Sequence, residues 1–415
     1  MKKFITLPPA LRHRNFTLLW AGMLISVAGS QMQLWALYWH IRVLSDQPIA
    51  VSGIGLARFV PILILSLFAG LIADRYNRRN VLLITQTVMA LTALGLALLT
   101  FAGEIRLWQI YLLTAIQAVA ISFDTPARQA LIPNLLPAHD LPSAFSLNSI
   151  AQTTGAIVGP AISGFIIAYQ GQGFTYLINA LSFVAVIAAL ILMGPIAHKT
   201  AAAAQPVSKR QAIREGIRFI VDSPVILSSM VLDFLATFFS SANTLLPYVA
   251  QDILRVSAVE YGWLAGAQSA GGILVGLVVS QRSDIRHQGR LLLEAVGIFG
   301  VATIFFGVSR SFLFTFLALT VIGAADTVST ILRNTIRQLQ TPDDIRGRMT
   351  SINQIFFMGG PQLGEIEAGL VAQGFGTPAA IVTGGLGCIF AVLFIAKRWP
   401  QLYHYNGDEP VLAGS

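Results

Sequence analysis

The chain is a succession of long apolar runs separated by short polar connections. Each run approaches the ~20 apolar residues that a helix needs to cross the hydrocarbon core of a bilayer, so we predict a spanning helix in each. The twelve predicted spans cover residues 16–43, 50–73, 80–102, 107–125, 142–170, 174–194, 224–250, 258–280, 290–309, 311–332, 348–372 and 377–396. The pattern therefore predicts an all-α membrane protein with twelve transmembrane helices and almost no domain outside the bilayer.

One polar interruption, residues 197–223, is much longer than the other connections. It contains a basic run in which Ile213, Ile217 and Ile220 fall at helical spacing, which is typical of an amphipathic helix on a membrane surface. The interruption divides the chain into parts, which we expect to be an N-terminal half at 1–196, a cytoplasmic linker at 197–223, a C-terminal half at 224–397 and a cytoplasmic tail at 398–415.

The two halves repeat each other. Six residues recur as the same residue type 205 positions later: Arg128, Pro137, Asn148, Gly155, Gly159 and Gly164 correspond to Arg333, Pro342, Asn353, Gly360, Gly364 and Gly369. Close helix packing alone explains shared glycines, since small residues let backbones approach. It does not explain one offset that also includes an arginine, a proline and an asparagine. We therefore expect two pseudo-symmetric six-helix halves, an arrangement common in transporters.

Composition narrows the class of function. Of the 415 residues, 55% are hydrophobic and 11% charged, whereas a soluble domain has roughly 25% charged residues. The single cysteine, Cys388, excludes a disulfide framework, and the six histidines lack metal-ligand spacing. None of the five lysines ends a G-x-x-x-x-G-K phosphate loop. We expect no enzymatic activity, no cofactor and no metal site, and an external energy source, most simply an ion gradient.

The net charge of +8 is explained by membrane topology. With a cytoplasmic N-terminus, 22 of the 27 Lys and Arg residues fall inside, Arg58 lies within a span, and only Arg42, Arg106, Arg255 and Arg310 fall outside. This asymmetry follows the positive-inside rule and predicts that both termini are cytoplasmic. A nucleic-acid partner is not expected, because no soluble module clusters arginines with aromatic residues.

A motif between predicted spans two and three carries a family resemblance. The stretch Gly70-Leu-Ile-Ala-Asp74-Arg75-Tyr-Asn-Arg78-Arg79 resembles the G-x-x-x-D-R-x-x-R-R signature of the major facilitator superfamily. The counterpart in the second half departs from this pattern, because a serine stands where the aspartate would recur. The second inner gate is therefore expected to be looser or differently latched.

Two further motifs resemble those of exporters within the superfamily. In predicted span five, Gly155, Gly159, Pro160 and Gly164 form a pattern similar to the glycine- and proline-rich motif of proton-coupled exporters. At the end of predicted span four, Asp124-Thr-Pro-Ala-Arg128 is similar to the drug-exporter subgroup, which includes bacterial siderophore exporters. The resemblance implies the major facilitator fold, and the glycines of both halves, including Gly360, Gly364 and Gly369, are expected to mediate helix packing.

The resemblance also implies a gate at the inner membrane face. In the family, the carboxylate of Asp74 faces the N-terminus of span eleven, where the helix dipole offers about half a positive charge. Arg75, Arg78 and Arg79 would pair with acids across the inner face, with Asp124 as the obvious partner, and breaking these pairs would accompany inward opening. The alternative is that the arginines serve only as topology anchors.

Acidic residues within spans are the candidates for proton coupling, because charge inside a membrane is costly and usually functional. Asp233 lies on a polar helical stripe in span seven. Glu365 and Glu367 lie in span eleven, roughly 200° apart around the helix, so they cannot face the same cavity. We expect Glu365 to be the stronger candidate of the two. Alternatively, a buried acid pairs with Arg58 or Arg333, and Asp326 resembles a structural partner of Arg333.

The substrate is expected near the midplane at the interface of the halves. Aromatic and amide side chains there suit a flat, partly polar organic molecule. The candidates for the cavity are Gln31, Gln33, Trp35, Arg58, Gln152, Asn243 and Gln362. Trp39 is expected instead in the interfacial belt, and Trp35 has the same alternative. Arg58 either attracts an anionic substrate or snorkels to the interface.

These observations predict a monomeric bacterial inner-membrane antiporter that moves protons in and a small organic molecule out by alternating access. Its partners would be the substrate, protons and the lipid bilayer. A siderophore or an amphiphilic drug is the substrate class that the resemblance implies, with multidrug efflux included. The alternatives are a nutrient importer, a lysolipid transporter, or a membrane sensor or scaffold that does not transport, because fold alone does not settle function.

Overall fold

The computed structural model describes residues 8–195, 209–281 and 285–407. Within these ranges, side chains are described except at 66–75, 138, 209–213, 242–243, 280, 343–344, 346–348, 350–351 and 354–358. The described chain is almost entirely helical and contains no β-strand. The motif residues Gly70, Asp74 and Arg75 form part of a helix, but their side chains, like that of Asn243, lie outside the described set.

Six long helices precede the linker. They are α1 (Arg14–Leu44), α2 (Ile49–Arg75), α3 (Arg78–Phe101), α4 (Leu107–Leu135), α5 (Leu141–Gln170) and α6 (Gln172–Leu192). The remainder comprises α7 (Lys209–Asp222), α8 (Pro224–Ser240), the short α9 (Leu246–Tyr248), α10 (Ala258–Ser280), α11 (Gln288–Val308), α12 (Phe312–Leu339), α13 (Asp343–Phe375), α14 (Thr377–Arg398) and α15 (Pro400–His404).

Every predicted span coincides with helix in the structure, although the seventh is irregular. After α8 the chain continues through a 3₁₀ turn at Ser241–Leu245, α9 and a π-helical turn at Val249–Leu254. Within the described ranges, eight helices are long and apolar enough to cross a membrane: α3, α4, α5, α6, α10, α11, α12 and α14. The bent pair of α7 and α8 makes a ninth candidate. Helices α1 and α13 are less apolar, because Gln31 and Gln33 interrupt α1 and Gln362, Glu365 and Glu367 interrupt α13.

Helices α4 and α12 extend well beyond the predicted ends of their spans. Helix α4 ends at Leu135 and not near 125, because Pro126 and Pro133 are accommodated inside it. Helix α12 ends at Leu339 and not near 332. Arg128, Arg333 and Arg337, which lie beyond the predicted spans, are therefore on helices. Arg333 and Arg337 are buried.

The first of two compact units consists of Met1–Ser45, Ala57–Ala202 and Ser257–Gly266. Within it, α1 packs against α5 and α6, and α3 packs against α4 and α6. The α1–α5 contact depends on two glycines: a Cβ built on Gly155 would lie 2.5 Å from Val27 Cγ1, and one on Gly159 2.6 Å from Gln31 Cβ. The predicted packing role of these glycines thus has a direct steric basis.

A third glycine contact in this unit joins α5 to the beginning of α10. A Cβ built on Gly164 would lie 2.5 Å from Gly262 Cα, so only two glycines can meet there. Pro160, one turn earlier in α5, is buried, and its carbonyl would lie 3.2 Å from a Cβ on Gly262. The glycine- and proline-rich motif therefore forms a contact surface along α5.

The second unit consists of Asp46–Leu56, Ala203–Val256 and Ala267–Ser415. Helix α8 packs against α13 and α14, and α11 packs against α12 and α14. Gly360 and Gly364 bring α13 against the backbone and hydroxyl groups of α8, while Gly369 meets Ser52 at the start of α2. The α13–α8 contact reproduces the α5–α1 contact of the first unit, as the 205-residue repeat predicts.

The repeat extends to two turns that the sequence reading overlooked. Gly171 (φ +85°) separates α5 from α6, and Gly376 (φ +88°) separates α13 from α14. The two glycines are again 205 positions apart. Both adopt backbone angles that side chains disfavour, so this connection requires glycine in each half.

Helix α7 meets α8 at 99°, as expected of a helix that lies along a membrane surface. Its Phe219 and Ile220 are buried against Ile226, Met230 and Met349 of the second unit, whereas Ile217 is exposed. The expectation that Ile217 and Ile220 share one lipid-facing surface is therefore wrong, because Ile220 packs on protein.

Residues after α14, expected to be a tail, fold back onto the second unit. Leu402 of α15 is fully buried, and Gly289 N donates a hydrogen bond to Tyr405 O at 3.0 Å. His287 Nδ1 lies 2.7 Å from Asn406 Oδ1. The C-terminal segment 400–407 thereby covers the N-terminal end of α11.

Candidate functional site

A buried cluster of charges lies within the second unit, between α8 and α12. Asp233 on α8 and Arg333 on α12 have side chains only 1% and 3% exposed, and Arg333 Nη1 lies 2.7 Å from Asp233 Oδ1. The guanidinium and the carboxylate form an ion pair without a well-aligned hydrogen bond. Neither oxygen of Asp233 has a donor with hydrogen-bond geometry among the described residues. The structure therefore contains the ion pair with Arg333 that the sequence offers as an alternative to a proton-coupling role for Asp233.

Two further charges complete this cluster. Arg337 Nη1 lies 3.9 Å from Asp233 Oδ2, and Arg333 Nη2 lies 3.9 Å from Asp326 Oδ1, which confirms the predicted contact between Asp326 and Arg333. Arg337 is oriented by Asn334 and Asn353, both of which accept hydrogen bonds from its guanidinium. The two acids and two arginines balance one another, which lowers the cost of placing charge inside a membrane span.

Asp326 connects this cluster to a small cleft. Its side chain is 56% exposed, in contrast to the buried Asp233. The cleft is lined by Asp326, Arg333 and Ser329, and also by Thr237 and Ser240 from α8. The Ser329 hydroxyl and the Arg333 Nε are buried without a hydrogen-bond partner among the described residues. The cleft thus places polar groups between an accessible carboxylate and a buried one.

The acids of α13 lie apart from this cluster. Glu365 is buried against the first turns of α2, where a Cβ built on Gly55 would lie 2.9 Å from Glu365 Cβ. Ser52 Oγ donates hydrogen bonds to the carbonyls of Ile366 (3.1 Å) and Glu365 (3.4 Å). Glu367 is half-buried, and Gln362 is buried one turn before Glu365.

In the first unit, hydrogen-bonded amide side chains connect α6, α1 and α4. Asn179 Nδ2 donates to Gln33 Oε1 at 2.7 Å, and Gln33 Nε2 donates to Gln117 Oε1 at 2.7 Å. Ser182 Oγ donates to Asn179 Oδ1 at 2.9 Å. Gln33, predicted to line the substrate cavity, is buried and has its amide oxygen and nitrogen engaged by α6 and α4. Its role in positioning these helices is thus established by geometry, whereas contact with substrate remains a prediction.

A group of aromatic side chains packs on the C-terminal part of α1. Tyr261, at the start of α10, donates its hydroxyl to Trp35 O at 3.0 Å and is fully buried. Its ring centroid lies 4.8 Å from that of Trp39 and 6.1 Å from that of Trp35. The indole of Trp39 is buried on Tyr261, and its place in the interfacial belt remains a prediction. His40 is buried nearby, with Nδ1 3.0 Å from the Tyr176 hydroxyl.

The remaining predicted cavity residues are more dispersed. Gln31 and Arg58 are half-buried, with Gln31 packed at Gly159, and Gln152 is exposed on α5. Asn243 lies outside the residues whose side chains are described. The structure therefore does not gather the seven predicted cavity residues into one described site, and Gln33 and Trp35, two positions apart on α1, lie on different sides of that helix.

The start of α3 and the C-terminal ends of α4 and α6 are held by arginines and by a buried acid. Asp124 accepts hydrogen bonds from Thr85 Oγ1 (3.0 Å) and Gln86 Nε2 (2.8 Å) and forms an ion pair with Arg128 one turn later on α4. Arg78 Nη1 donates to Ala130 O at 3.0 Å, and Arg79 Nε donates to Leu190 O at 2.7 Å.

These contacts correct the predicted pairing. Arg78 and Arg79 bond to backbone carbonyls and not to Asp124, because Asp124 is already satisfied by neighbours on α3 and α4. Each arginine therefore ties the start of α3 to the C-terminal end of another helix. Among the described residues, no group of three or more His, Cys, Asp or Glu side chains converges on a position that would hold a metal ion.

Comparison with known proteins agrees with this architecture. The sequence profile of a family described as transmembrane secretion effector matches residues 6–406. The enterobactin exporter EntS of Escherichia coli (strain K12) is 25% identical over 371 residues, which are 88% of this chain and 86% of that protein. EntS of Shigella dysenteriae serotype 1 (strain Sd197) matches with the same identity and coverage.

Solved transporter structures share the fold. A bacterial homologue of the human lysosomal transporter Spinster matches with a TM-score of 0.70 at 13% identity, covering 94% of this chain and 96% of that one. A POT family transporter in complex with 5-aminolevulinic acid matches with a TM-score of 0.69 at 14% identity, covering 97% and 98%. The predicted fold class and the resemblance to the major facilitator superfamily are confirmed.

Proposed function

The chain belongs to the transmembrane secretion effector family, a family of multi-pass membrane transporters of the major facilitator type, and we propose that it exports a small organic molecule in exchange for protons. In this proposal the protein works as a monomer in a bacterial inner membrane, with both termini cytoplasmic. Its two halves, 1–196 and 224–397, give the substrate alternating access to the two sides of the membrane, and residues 197–223 link them. The observation that carries the proposal is the buried pair of Asp233 and Arg333.

A proton can change the state of this pair directly. Protonation of Asp233 cancels its attraction to Arg333, whose other carboxylate neighbour is Asp326 at 3.9 Å. The guanidinium then shifts its ionic contact from α8 towards Asp326 on its own helix, which weakens the link between α8 and α12. Because Asp326 is exposed and Asp233 is buried, protons reach the pair through Asp326. This gives each residue a role: Asp326 receives the proton, and Asp233 holds or releases Arg333.

Glu365 and Glu367 supply the second candidate location for the proton. Glu365 is buried where α13 meets the start of α2, so a change of its charge would act on that helix contact. Glu367 faces another side of α13. The proposal ranks Asp233 first because its arginine partner gives protonation a mechanical consequence within one unit.

For the gate, we propose that Gly70, Asp74 and Arg75 act at the inner end of α2, as the superfamily signature implies. Arg78, Arg79 and the Asp124–Arg128 pair would support this gate by keeping the inner ends of α3, α4 and α6 together, so that they move as one body. Their hydrogen bonds to Ala130 and Leu190 carbonyls suit such rigid support better than exchangeable ionic contacts.

A siderophore or an amphiphilic drug is the proposed substrate class, since the curated relatives named above are enterobactin exporters. The half-buried Trp35 of α1 offers an aromatic face that suits a flat molecule with ring systems. An aromatic siderophore has such rings, and so do many planar cationic drugs.

Transport in proteoliposomes tests the proposal. Purified full-length protein is reconstituted, an acidic interior is imposed, and uptake of enterobactin or ethidium is measured together with proton release. We expect proton-dependent uptake by the native chain. Asp233→Asn should reduce proton-driven uptake to the level of empty liposomes, while exchange of labelled for unlabelled probe without a gradient persists.

Asp222→Asn is the matched control, because Asp222 is an exposed acid in the same unit whose partner, Arg218, is 3.5 Å away on the surface. This control should transport like the native chain. Proton-driven uptake that survives Asp233→Asn but is lost in Glu365→Gln would move the coupling site to α13 and overturn the assignment. Uptake of a probe that is independent of the proton gradient would overturn antiport.

A further inference from the structure

A long apolar groove runs between α11 and α12 in the second unit, away from the charge cluster. It has a volume of about 1040 Å³ and is lined on α11 by residues such as Ile298, Val301 and Phe305, and on α12 by Phe314 and Leu317. Both helices are long and apolar enough to cross a membrane. The groove therefore opens towards lipid and not towards water.

The shape of the groove depends on a missing side chain. Gly297 lies in its wall, and a Cβ built there meets no other atom within 4 Å. This glycine differs from Gly300 on the next turn, which is in tight contact with Gly385. Helix packing does not require a glycine at 297, so its effect is to keep the groove open.

The two ends of the groove carry the charged residues of its lining. At one end, Glu294 is bonded by Arg290 Nε at 2.8 Å and is thereby neutralised. At the other end, Arg310 lies in the turn between α11 and α12, between Ser309 and Ser311. Its Nη1 donates to Ser309 O at 3.1 Å, and it forms no ion pair within the described part of the chain. The groove thus combines an apolar channel with one exposed cation.

We propose that the α11–α12 groove holds an anionic phospholipid, with acyl chains along the channel and the phosphate on Arg310. The distance from Gly297 to Val308 corresponds to roughly 16 Å at about 1.5 Å per residue, which is about half of the ~30 Å hydrocarbon core. One leaflet of lipid therefore fits between the arginine and the glycine. An arginine suits the head group because its guanidinium binds phosphate oxygens in a bidentate manner.

This inference is independent of the proposed transport function, since it concerns a retained membrane lipid and not the exported molecule. Ile298, Phe305 and Phe314 in its lining are exposed, and none of the residues proposed for coupling lines it. A substrate that used the groove would also be amphiphilic, so the experiment must separate the two.

Native mass spectrometry of the purified full-length protein measures the binding. The probes are phosphatidylglycerol and phosphatidylcholine with identical acyl chains. We expect the native chain to prefer phosphatidylglycerol by about fivefold, the factor equivalent to the ~1 kcal/mol that one basic residue contributes near an anionic membrane surface. Arg310→Gln should remove this preference. Gly297→Leu should fill the channel and weaken the binding of both lipids.

Arg106→Gln is the matched control, because Arg106 is an exposed arginine directly before α4, as Arg310 is in the turn before α12. It should leave both affinities unchanged. Retention of the lipid preference in Arg310→Gln would overturn the head-group assignment, and this arm remains decisive if Gly297→Leu does not fold. Unchanged lipid binding by folded Gly297→Leu, together with lost uptake of the transport probe, would assign the groove to the substrate.

Discussion

Replacement of Arg333 by methionine would leave Asp233 as an uncompensated buried charge. The two side chains are 3% and 1% exposed and 2.7 Å apart, so water does not screen the loss. Breaking a buried ion pair by removal of one partner costs about 3–5 kcal/mol. Arg337, with Nη1 3.9 Å from Asp233 Oδ2, partly substitutes for the missing cation, so we expect the lower end of that range.

The assay is thermal unfolding of the purified protein in detergent, followed by intrinsic fluorescence. For a unit of about 200 residues, each kcal/mol shifts Tm by roughly 2–4 °C. We therefore expect Arg333→Met to lower Tm by about 6–12 °C. The double variant Asp233→Asn with Arg333→Met should recover most of this loss, because it removes the unpaired charge as well as the pair.

The control is Arg290→Gln, which breaks an ion pair of similar length, 2.8 Å, on the exposed side of α11. Exposed pairs contribute little, so its Tm should match that of the native chain. The reasoning would be refuted by a Tm of Arg333→Met equal to the native value, or by a double variant that is no more stable than the single one.

Two other variants test the helix contacts. Gly164→Leu should abolish transport and reduce the yield of monodisperse protein in size-exclusion chromatography, because its Cβ would lie 2.5 Å from Gly262 Cα. The control, Gly266→Ala, should behave as the native chain, because the atom nearest to its Cβ is 3.9 Å away. A normal yield of active Gly164→Leu would contradict the contact. Asn179→Leu should lower the free energy of unfolding by about 1–3 kcal/mol, since it leaves the buried Gln33 Oε1 without its donor. An unchanged Tm would mean that water satisfies Gln33 Oε1.

The helical pattern and the internal repeat could be predicted from the sequence because both depend on local or evenly spaced signals. The length of an apolar run predicts a span, and a fixed offset of 205 identifies corresponding residues. Apolarity fails as a guide where a helix continues through polar residues. Arg333 and Arg337 therefore fall beyond the predicted end of span ten, although their spacing of four on a helix would place them on one face.

Most of the candidate site depends on contacts between distant positions, and these could not be predicted. Asp233 was recognised as a costly intramembrane charge, but its second cation, Arg337, is 104 positions away. Tyr261 and Trp35 are separated by 226 positions and meet only because the start of α10 packs within the first unit. One signal was available and missed: Asn179 interrupts an otherwise apolar run in α6, and polar residues in such positions commonly bond across helices.

The folded C-terminal segment has a consequence for biosynthesis. Leu402 and Tyr405 are buried against the start of α11, and Gly289 N bonds to Tyr405 O, yet the ribosome adds residues 400–407 only after α12, α13 and α14. The start of α11 must therefore wait for a partner made more than 100 residues later. A chain released early, after Arg398, would contain every predicted span and still leave Leu292 and Leu293 without the apolar side chains that cover them.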